Sequence, residues 1–422
     1  MYGLVGKNLS YSMSKFLHEK IRPFNYTLFE TENIHHFLTT HKFKGLNITN
    51  PYKKDVLNYA DILDESVKKT GVANTLISNN GFISAYNTDY YAAKSIVEEW
   101  LPQDSNCAII GNGATSDTYR IALSECGIKH QVYARHPKSN EASIDQLKTE
   151  KAVTVIINTT PVGTSPNLEA TLDIDLSLYN HLVLVLDVIY NPYESSLIKA
   201  AKKQNIPALN GLLMLVRQAI KSNALFFNTD YGPNLEDALI NSALKHQLNL
   251  VFIGLPFSGK THYGKLLGNR LDKAFIDLDK VFETKYKTTI KGYFEHYGES
   301  SFRAEEEVIA TEVSNQINQV ISPGGGLILN AVIMERLKQN SILIYLDLDE
   351  SLMDRINYHS RPHVKNPEDL KHLKKMRDPL YRNYADIIVL KNTLNQDSIL
   401  NEIEVKIDAY LNHQRSFYKS SR

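Results

Sequence analysis

Residues 248–261 read Leu248-Asn249-Leu250-Val251-Phe252-Ile253-Gly254-Leu255-Pro256-Phe257-Ser258-Gly259-Lys260-Thr261. A short apolar run passes into glycine, four further residues, then Gly-Lys-Thr, with helix-like sequence behind it. A buried strand opening through a glycine turn onto a helix is the signature of a parallel α/β sheet. The glycines let backbone N–H groups cradle phosphates, the Lys reaches the β/γ oxygens, and the Thr supplies a magnesium ligand. This spacing alone leaves kinases, switch GTPases and motor ATPases equally open.

Two more stretches repeat the strand–glycine–helix order. Asn106–Ile110 runs into Gly111-Asn112-Gly113-Ala114-Thr115-Ser116, and Gln319–Ser322 runs into Pro323-Gly324-Gly325-Gly326. Further buried-type runs occur at 153–157, 182–188 and 342–346. Around them lies a chain of 422 residues with 47 basic and 47 acidic side chains, hence no formal net charge. That balance argues against a nucleic-acid binder, which shows a basic excess or stripe. Two cysteines, Cys107 and Cys126, are too few for a disulfide framework, and no apolar run approaches a membrane span. The expectation is a water-soluble, cytoplasmic, multidomain protein with no nucleic-acid or membrane partner. The chain pauses at Gly232-Pro233-Asn234, which places the main boundary between about Asp230 and Gln247.

In the first half, Gly111-x-Gly113 with Ser116 has the form of a dinucleotide-binding turn, although such triplets also make plain tight turns. Arg135 and Lys138 follow the next strand-like run, where an Arg accommodates a ribose 2′-phosphate. Upstream stand Ser12 and Ser14, then Gly45-Leu46-Asn47-Ile48-Thr49-Asn50-Pro51-Tyr52-Lys53, Val72-Ala73-Asn74-Thr75 and Asn87-Thr88-Asp89. Each alone could cap a helix or shape a turn. Together they offer short donors and acceptors suited to a polyhydroxylated acid, with one Lys and one Asp for proton transfer.

In that order these elements resemble the shikimate dehydrogenase family, over nearly all of residues 1–230. Asn158-Thr159-Thr160-Pro161-Val162-Gly163, Asp187–Pro192 and Gly211–Ala219 fit as well. The resemblance implies that Lys53 and Asp89 are the catalytic pair. It implies a substrate site of Ser12, Ser14, Asn47, Thr49, Asn74, Tyr190 and Gln218. The NADP site would be Gly111, Gly113, Ala114, Ser116, Arg135 and Lys138. Tyr11, Lys15, Glu19, Ala85, Tyr90, Asn112, Ala114 and Asp117 depart from the family pattern. Asp117, an acid close to the expected phosphates, would weaken dinucleotide affinity.

Beyond the second glycine loop, Asp277 and Asp279 project from one face of a strand end. Phe302-Arg303 with Glu306, the triglycine, Arg361-Pro362 and Arg377-Asp378-Pro379-Leu380-Tyr381 follow. Dispersed arginines suit a small anionic substrate, because guanidinium forks pair with carboxylates. Over about residues 248–412 this pattern is similar to shikimate kinases. The resemblance implies ATP held by Gly254, Ser258, Gly259, Lys260, Thr261, His262 and Arg355, and magnesium managed by Thr261 and Asp277. It implies shikimate held by Asp279, Arg303, Gly324, Gly325, Gly326 and Arg377, with Lys260 and Arg361 catalytic. His363 and Val364 stand where the family's lid has leucines.

The expected architecture is α/β throughout. A shikimate dehydrogenase-like substrate domain (1–92, completed by 208–242) accompanies a Rossmann NADP domain (93–207). A P-loop domain of the nucleoside-monophosphate-kinase type (247–422) follows. The expected activity is NADPH-dependent reduction of 3-dehydroshikimate followed by MgATP-dependent phosphorylation of shikimate, in a chain compatible with a homodimer. Two rivals are an NAD-using quinate/shikimate oxidoreductase joined to a broader small-molecule kinase, and a metabolite sensor with one degenerate half.

Overall fold

The computed structural model describes residues 1–9, 12–358, 364–393 and 395–418. It separates into two units. One comprises Met1–Tyr190, Glu194–Ala243 and the described residues from Phe417 on; the other comprises Asn191–Tyr193 and Leu244–Ser416. The division falls inside the helix Asn234–Gln247, not in the glycine-proline pause before it.

The first unit holds two six-stranded sheets. Strands β1 (Tyr2–Gly6), β2 (Tyr26–Glu30), β3 (Gly45–Ile48), β4 (Ile62–Leu63), β5 (Thr75–Asn79) and β6 (Phe82–Tyr86) form the first, in the order β2-β1-β3-β5-β6-β4. β3 and β5 pair antiparallel, as do β5 and β6, and the other pairs are parallel. The carboxyl ends of β1, β3 and β6 therefore lie on the same edge as the amino end of β5. The buried positions of this sheet, including Val5, Leu46, Ile48, Leu76 and Ala85, share one apolar core.

β7 (Asn106–Ile110), β8 (Lys129–Ala134), β9 (Ala142–Ser143), β10 (Val155–Asn158), β11 (Leu184–Asp187) and β12 (Ala208–Leu209) form the second sheet. All pairs are parallel, in the order β12-β11-β10-β7-β8-β9. Strand order reverses beside β7, which opens a crevice at the carboxyl ends where dinucleotides bind in such sheets.

The second unit has one parallel sheet of β13 (Asn249–Ile253), β14 (Ala274–Asp277), β15 (Gln319–Ser322), β16 (Ser341–Leu348) and β17 (Ile387–Lys391), in the order β14-β15-β13-β16-β17. Every residue of β13, β15 and β16 is buried. Helices covering both faces of a parallel sheet require such continuous apolar strands. Among the described residues no helix is long and apolar enough to cross a membrane.

Candidate functional site

The common edge of the first sheet collects short polar side chains because each strand ends there in a turn. β1 leads into Lys7–Leu9, β3 into Thr49–Lys53, and β6 into Asn87, which caps the helix Thr88–Trp100. Asn74 immediately precedes β5. A cavity of about 370 Å³ opens at this edge, and its lining includes Ser12, Ser14, Asn47, Thr49, Lys53, Asn74, Asp89, Tyr190 and Gln218.

Lys53 Nζ donates to Asp89 Oδ2 at 2.6 Å, and both side chains are mostly buried. Asn74 Oδ1 accepts from Thr88 N at 2.7 Å, from Thr88 Oγ1 at 3.1 Å and from Thr75 Oγ1 at 3.1 Å. That crowding of acceptor bonds fixes the amide orientation, and the cavity wall it forms is held by its oxygen. Asn47 is fixed equally firmly: Tyr26 Oη donates to its Oδ1 at 2.8 Å, and its Nδ2 donates to Thr75 Oγ1 at 3.1 Å. Behind Tyr26 stacks His18, fully buried and pushed down to about 3 by that burial, so its ring is neutral. Buried polar groups satisfied in this way hold one geometry.

At the second sheet, Gly111 follows β7 with φ +102°, and a Cβ there would sit 2.9 Å from Thr159 Oγ1. Only glycine fits so close an approach in that backbone region. Gly113 caps the helix Ala114–Glu125 without any side-chain hydrogen bond. The first-turn N–H groups are thus suited to an anion. Asp117 lies in that first turn, 3.7 Å from Arg120. Asp187, at the end of β11, accepts from Asn158 Nδ2 at 2.9 Å and Ser195 Oγ at 2.6 Å, and burial pushes its carboxyl up to about 6.

In the second unit, Gly254 has φ +147°, and a Cβ there would meet Leu346 O at 2.8 Å. Lys260 Nζ folds back to Gly254 O at 2.9 Å and Leu255 O at 3.0 Å. Thr261 Oγ1 donates to Asp277 Oδ2 at 3.1 Å. The Ser258 hydroxyl is buried without a hydrogen-bond partner among the described residues. An orphan hydroxyl inside a glycine loop is costly unless a ligand oxygen meets it.

The triglycine faces a second cluster. A Cβ on Gly324 would sit 2.6 Å from Asp279 Oδ1, and one on Gly326 would sit 2.9 Å from Arg303 Nη2. Arg377 Nη1 donates to Gly325 O at 2.6 Å, and Arg303 Nη1 to Glu306 Oε2 at 2.7 Å. Burial raises the Glu306 carboxyl, with Arg303 opposing and Asp279 adding to the rise. Two arginines and two acids converge here on bare backbone.

The family model "Shikimate dehydrogenase substrate binding domain" matches residues 4–76, and the model "Shikimate kinase" matches residues 256–408. A shikimate dehydrogenase (NADP(+)) of Clostridium beijerinckii is 34% identical over 248 residues, covering 53% of this chain and 91% of that protein. This chain belongs to the shikimate dehydrogenase family. It carries a shikimate kinase domain after the dehydrogenase. The solved chorismate mutase/shikimate 5-dehydrogenase fusion protein from Clostridium acetobutylicum is 29% identical, with a TM-score of 0.52, over 56% of this chain and 94% of that one. Shikimate dehydrogenase 1 from Peptoclostridium difficile is 26% identical, with a TM-score of 0.51, over 57% and 96%.

Within the dehydrogenase, all nine residues expected at the substrate and proton-transfer site line the one cavity. Its wall also contains Lys7, Asn8, Asn50, Thr115 and Met214, which the motif reading does not single out. Thr115 had a signal, since it belongs to the glycine turn; Lys7 had only its place after β1. Of the expected NADP residues, Gly111, Gly113, Ala114 and Ser116 form the turn and helix start, and Arg135 is exposed after β8. Lys138 reaches the same turn: Nζ donates to Asn112 O at 3.4 Å and lies 3.7 Å from Glu141. Asn112 Nδ2 also donates to Glu141 Oε2, at 2.9 Å.

Within the kinase domain, Asp277 and Thr261 meet, and Asp279, Arg303, Arg377 and Gly324–Gly326 meet. His262 is bonded to Gln396 at 2.7 Å. Arg355 is exposed on the turn Glu350–Arg355, and no contact among the described residues ties it to the glycine loop. Arg361 lies outside the described residues.

Proposed function

We propose that this protein reduces 3-dehydroshikimate to shikimate with NADPH and phosphorylates the 3-hydroxyl of shikimate with MgATP. The observation that carries the first step is the Lys53–Asp89 ion pair inside the cavity lined by Ser12, Ser14, Asn47, Thr49, Asn74, Tyr190 and Gln218. A bound nicotinamide dinucleotide supplies hydride, and bound MgATP supplies the phosphoryl group. Hydride arriving at a ketone leaves an oxyanion that needs a proton. The Lys53 ammonium, steered by Asp89, donates it and orients the new hydroxyl. Ser12 and Ser14 offer hydroxyl donors to the substrate carboxylate, while Asn47, Thr49 and Asn74 address its hydroxyls.

The glycine turn fits a pyrophosphate, because Gly111 leaves space that a Cβ would fill and the helix start is uncapped. Arg135 is the residue we assign to the 2′-phosphate. In the kinase domain the orphan Ser258 hydroxyl and the Thr261–Asp277 pair fit a magnesium-bound nucleotide phosphate. Asp279, Arg303 and Arg377 hold shikimate against the triglycine. Lys260 neutralises charge on the transferring group, and Arg361, outside the described residues, is assigned the same task. Positioning and charge neutralisation are what phosphoryl transfer requires.

The test is an absorbance assay of the purified chain with 3-dehydroshikimate and NADPH, followed by MgATP. Consumption of NADPH and then of ATP in equal amounts is expected. No NADPH consumption would favour the sensor reading.

A further inference from the structure

On the side of the kinase sheet away from its glycine loop lies a cavity of about 330 Å³. Leu250 near the start of β13 and Ile342 near the start of β16 line it, whereas the glycine loop follows the other end of β13. A five-residue strand separates the two places by roughly 15 Å. Leu244, Leu248, Ile407 and Leu411 complete buried walls, and Leu271, 37% exposed, stands at the mouth. The size lies at the small end of the range for small-molecule sites, ~300–1,000 Å³.

The charges on this lining do not cancel. Five charged side chains border the cavity: Lys245, Arg270, Lys273, Glu404 and Asp408. Lys245 pairs with Asp408 at 2.7 Å, and Arg270 with Glu404 at 3.6 Å. Lys273 has no carboxylate partner among the described residues. Its Nζ donates to Leu248 O and to Asn318 Oδ1, both at 3.0 Å and both neutral. An ammonium carries three N–H donors, so one more acceptor can be taken. Burial pushes Lys273 down to about 7, and burial, with the Lys273 charge second to it, lowers the half-buried His246. A cation enclosed by leucines without a carboxylate is poorly stabilised, and an entering anion would correct this.

We propose that this cavity is a second ligand site, which takes an apolar monocarboxylate with its carboxylate against Lys273 and its hydrocarbon body among Leu244, Leu250, Ile342 and Leu411. One negative charge matches Lys273, the lining cation without a carboxylate partner among the described residues, and the leucine and isoleucine walls select against a hydroxylated body. Shikimate-like polyols are therefore excluded from it. The site is independent of the reactions assigned above.

Calorimetric titration of the full chain with 3-phenylpropanoate and with its neutral isostere 3-phenylpropan-1-ol tests this, at about pH 6 where the amine is charged. The acid should bind at least about tenfold more tightly than the alcohol. Lys273→Met should abolish that preference while keeping alcohol binding, and Lys273→Arg should retain it. Saturating ATP and shikimate should leave acid binding unchanged. Equal affinities for acid and alcohol, no heat with either probe, undiminished acid binding by Lys273→Met, or displacement by ATP or shikimate would each overturn the proposal. If Lys273→Met fails to fold, the acid–alcohol comparison on the unmodified chain and the Lys273→Arg variant decide the matter.

Discussion

The chain contains two glycine loops that solve one problem differently. Gly111–Ser116 and Gly254–Thr261 each follow the carboxyl end of a central parallel strand and open a helix. The kinase loop carries its own cation and hydroxyl, Lys260 and Thr261, and is stitched to Asp277. The dehydrogenase loop has hydroxyls, Thr115 and Ser116, but no cation, and its first helical turn holds an acid, Asp117. The Lys53–Asp89 pair that we assign to proton transfer stands at the edge of the other sheet of the unit. The chemistry explains the difference. In phosphoryl transfer the phosphate is the reacting group, so the loop that holds it must also neutralise it. In hydride transfer the phosphates are handles, and the reacting carbon lies far along the dinucleotide.

That contrast predicts separable losses, the largest effects of all. Lys53→Ala should lower NADPH oxidation with 3-dehydroshikimate by about 10²–10⁴-fold, the usual worth of a positioned proton donor. ATP-dependent phosphorylation of added shikimate should continue. Lys260→Ala should do the reverse, with a loss of about 10²–10³-fold in phosphorylation rate. The two rates measured on each purified variant check both statements. Loss of both activities in either variant would break the comparison, since the loops would no longer act independently.

The sequence makes one loop more legible than the other, for a physical reason. Gly254-x4-Gly259-Lys260-Thr261 concentrates phosphate chemistry in eight consecutive residues, so the string itself is informative. The dehydrogenase site disperses over strand ends. It becomes readable only when Ser12, Asn47, Lys53, Asn74 and Asp89 are taken together, because antiparallel β5 brings Asn74 to the edge where β1, β3 and β6 finish. What stayed hidden depends on contacts between distant turns. Lys7 reaches the cavity by backbone continuation from β1, and Glu141 joins Asn112 across 29 residues. Tyr26 anchors Asn47 by a hydroxyl that no pattern of apolar residues reveals. The return of the chain to the first unit at Tyr418, whose Oη donates to Asn210 Oδ1 at 2.7 Å, has no sequence signal either. A lone Arg is equally uninformative: Arg355 is exposed at the end of the turn Glu350–Arg355.

Removing a charge from the handle instead of the reacting centre should produce a smaller and more selective effect. Arg135→Ala should raise the NADPH KM by about tenfold, as for one charge-assisted hydrogen bond, and leave the NADH KM close to its original value. Steady-state kinetics with both dinucleotides measure it. Equal losses would show that Arg135 supports the loop fold and not the 2′-phosphate. The neighbouring Lys138 is already committed to Asn112 and Glu141, so Lys138→Ala should shift the NADPH-to-NADH ratio less than Arg135→Ala.

The smallest effect concerns Asp117. A carboxylate in the first turn stabilises the helix against its own dipole, yet it opposes an incoming pyrophosphate in the same field. Asp117→Asn should therefore divide its consequences. Affinity for NADPH and NADH should rise alike, by about two- to fivefold, while the folded unit loses about 0.3–1 kcal/mol. The Arg120 contact is long and partly exposed, so its loss adds little. Added salt should shrink the affinity difference between the variants, because screened charges at a helix end interact weakly. If Asp117→Asn instead weakened both dinucleotides, the acid would be serving the loop's geometry, and the dehydrogenase loop would resemble the kinase loop more closely than its residues suggest.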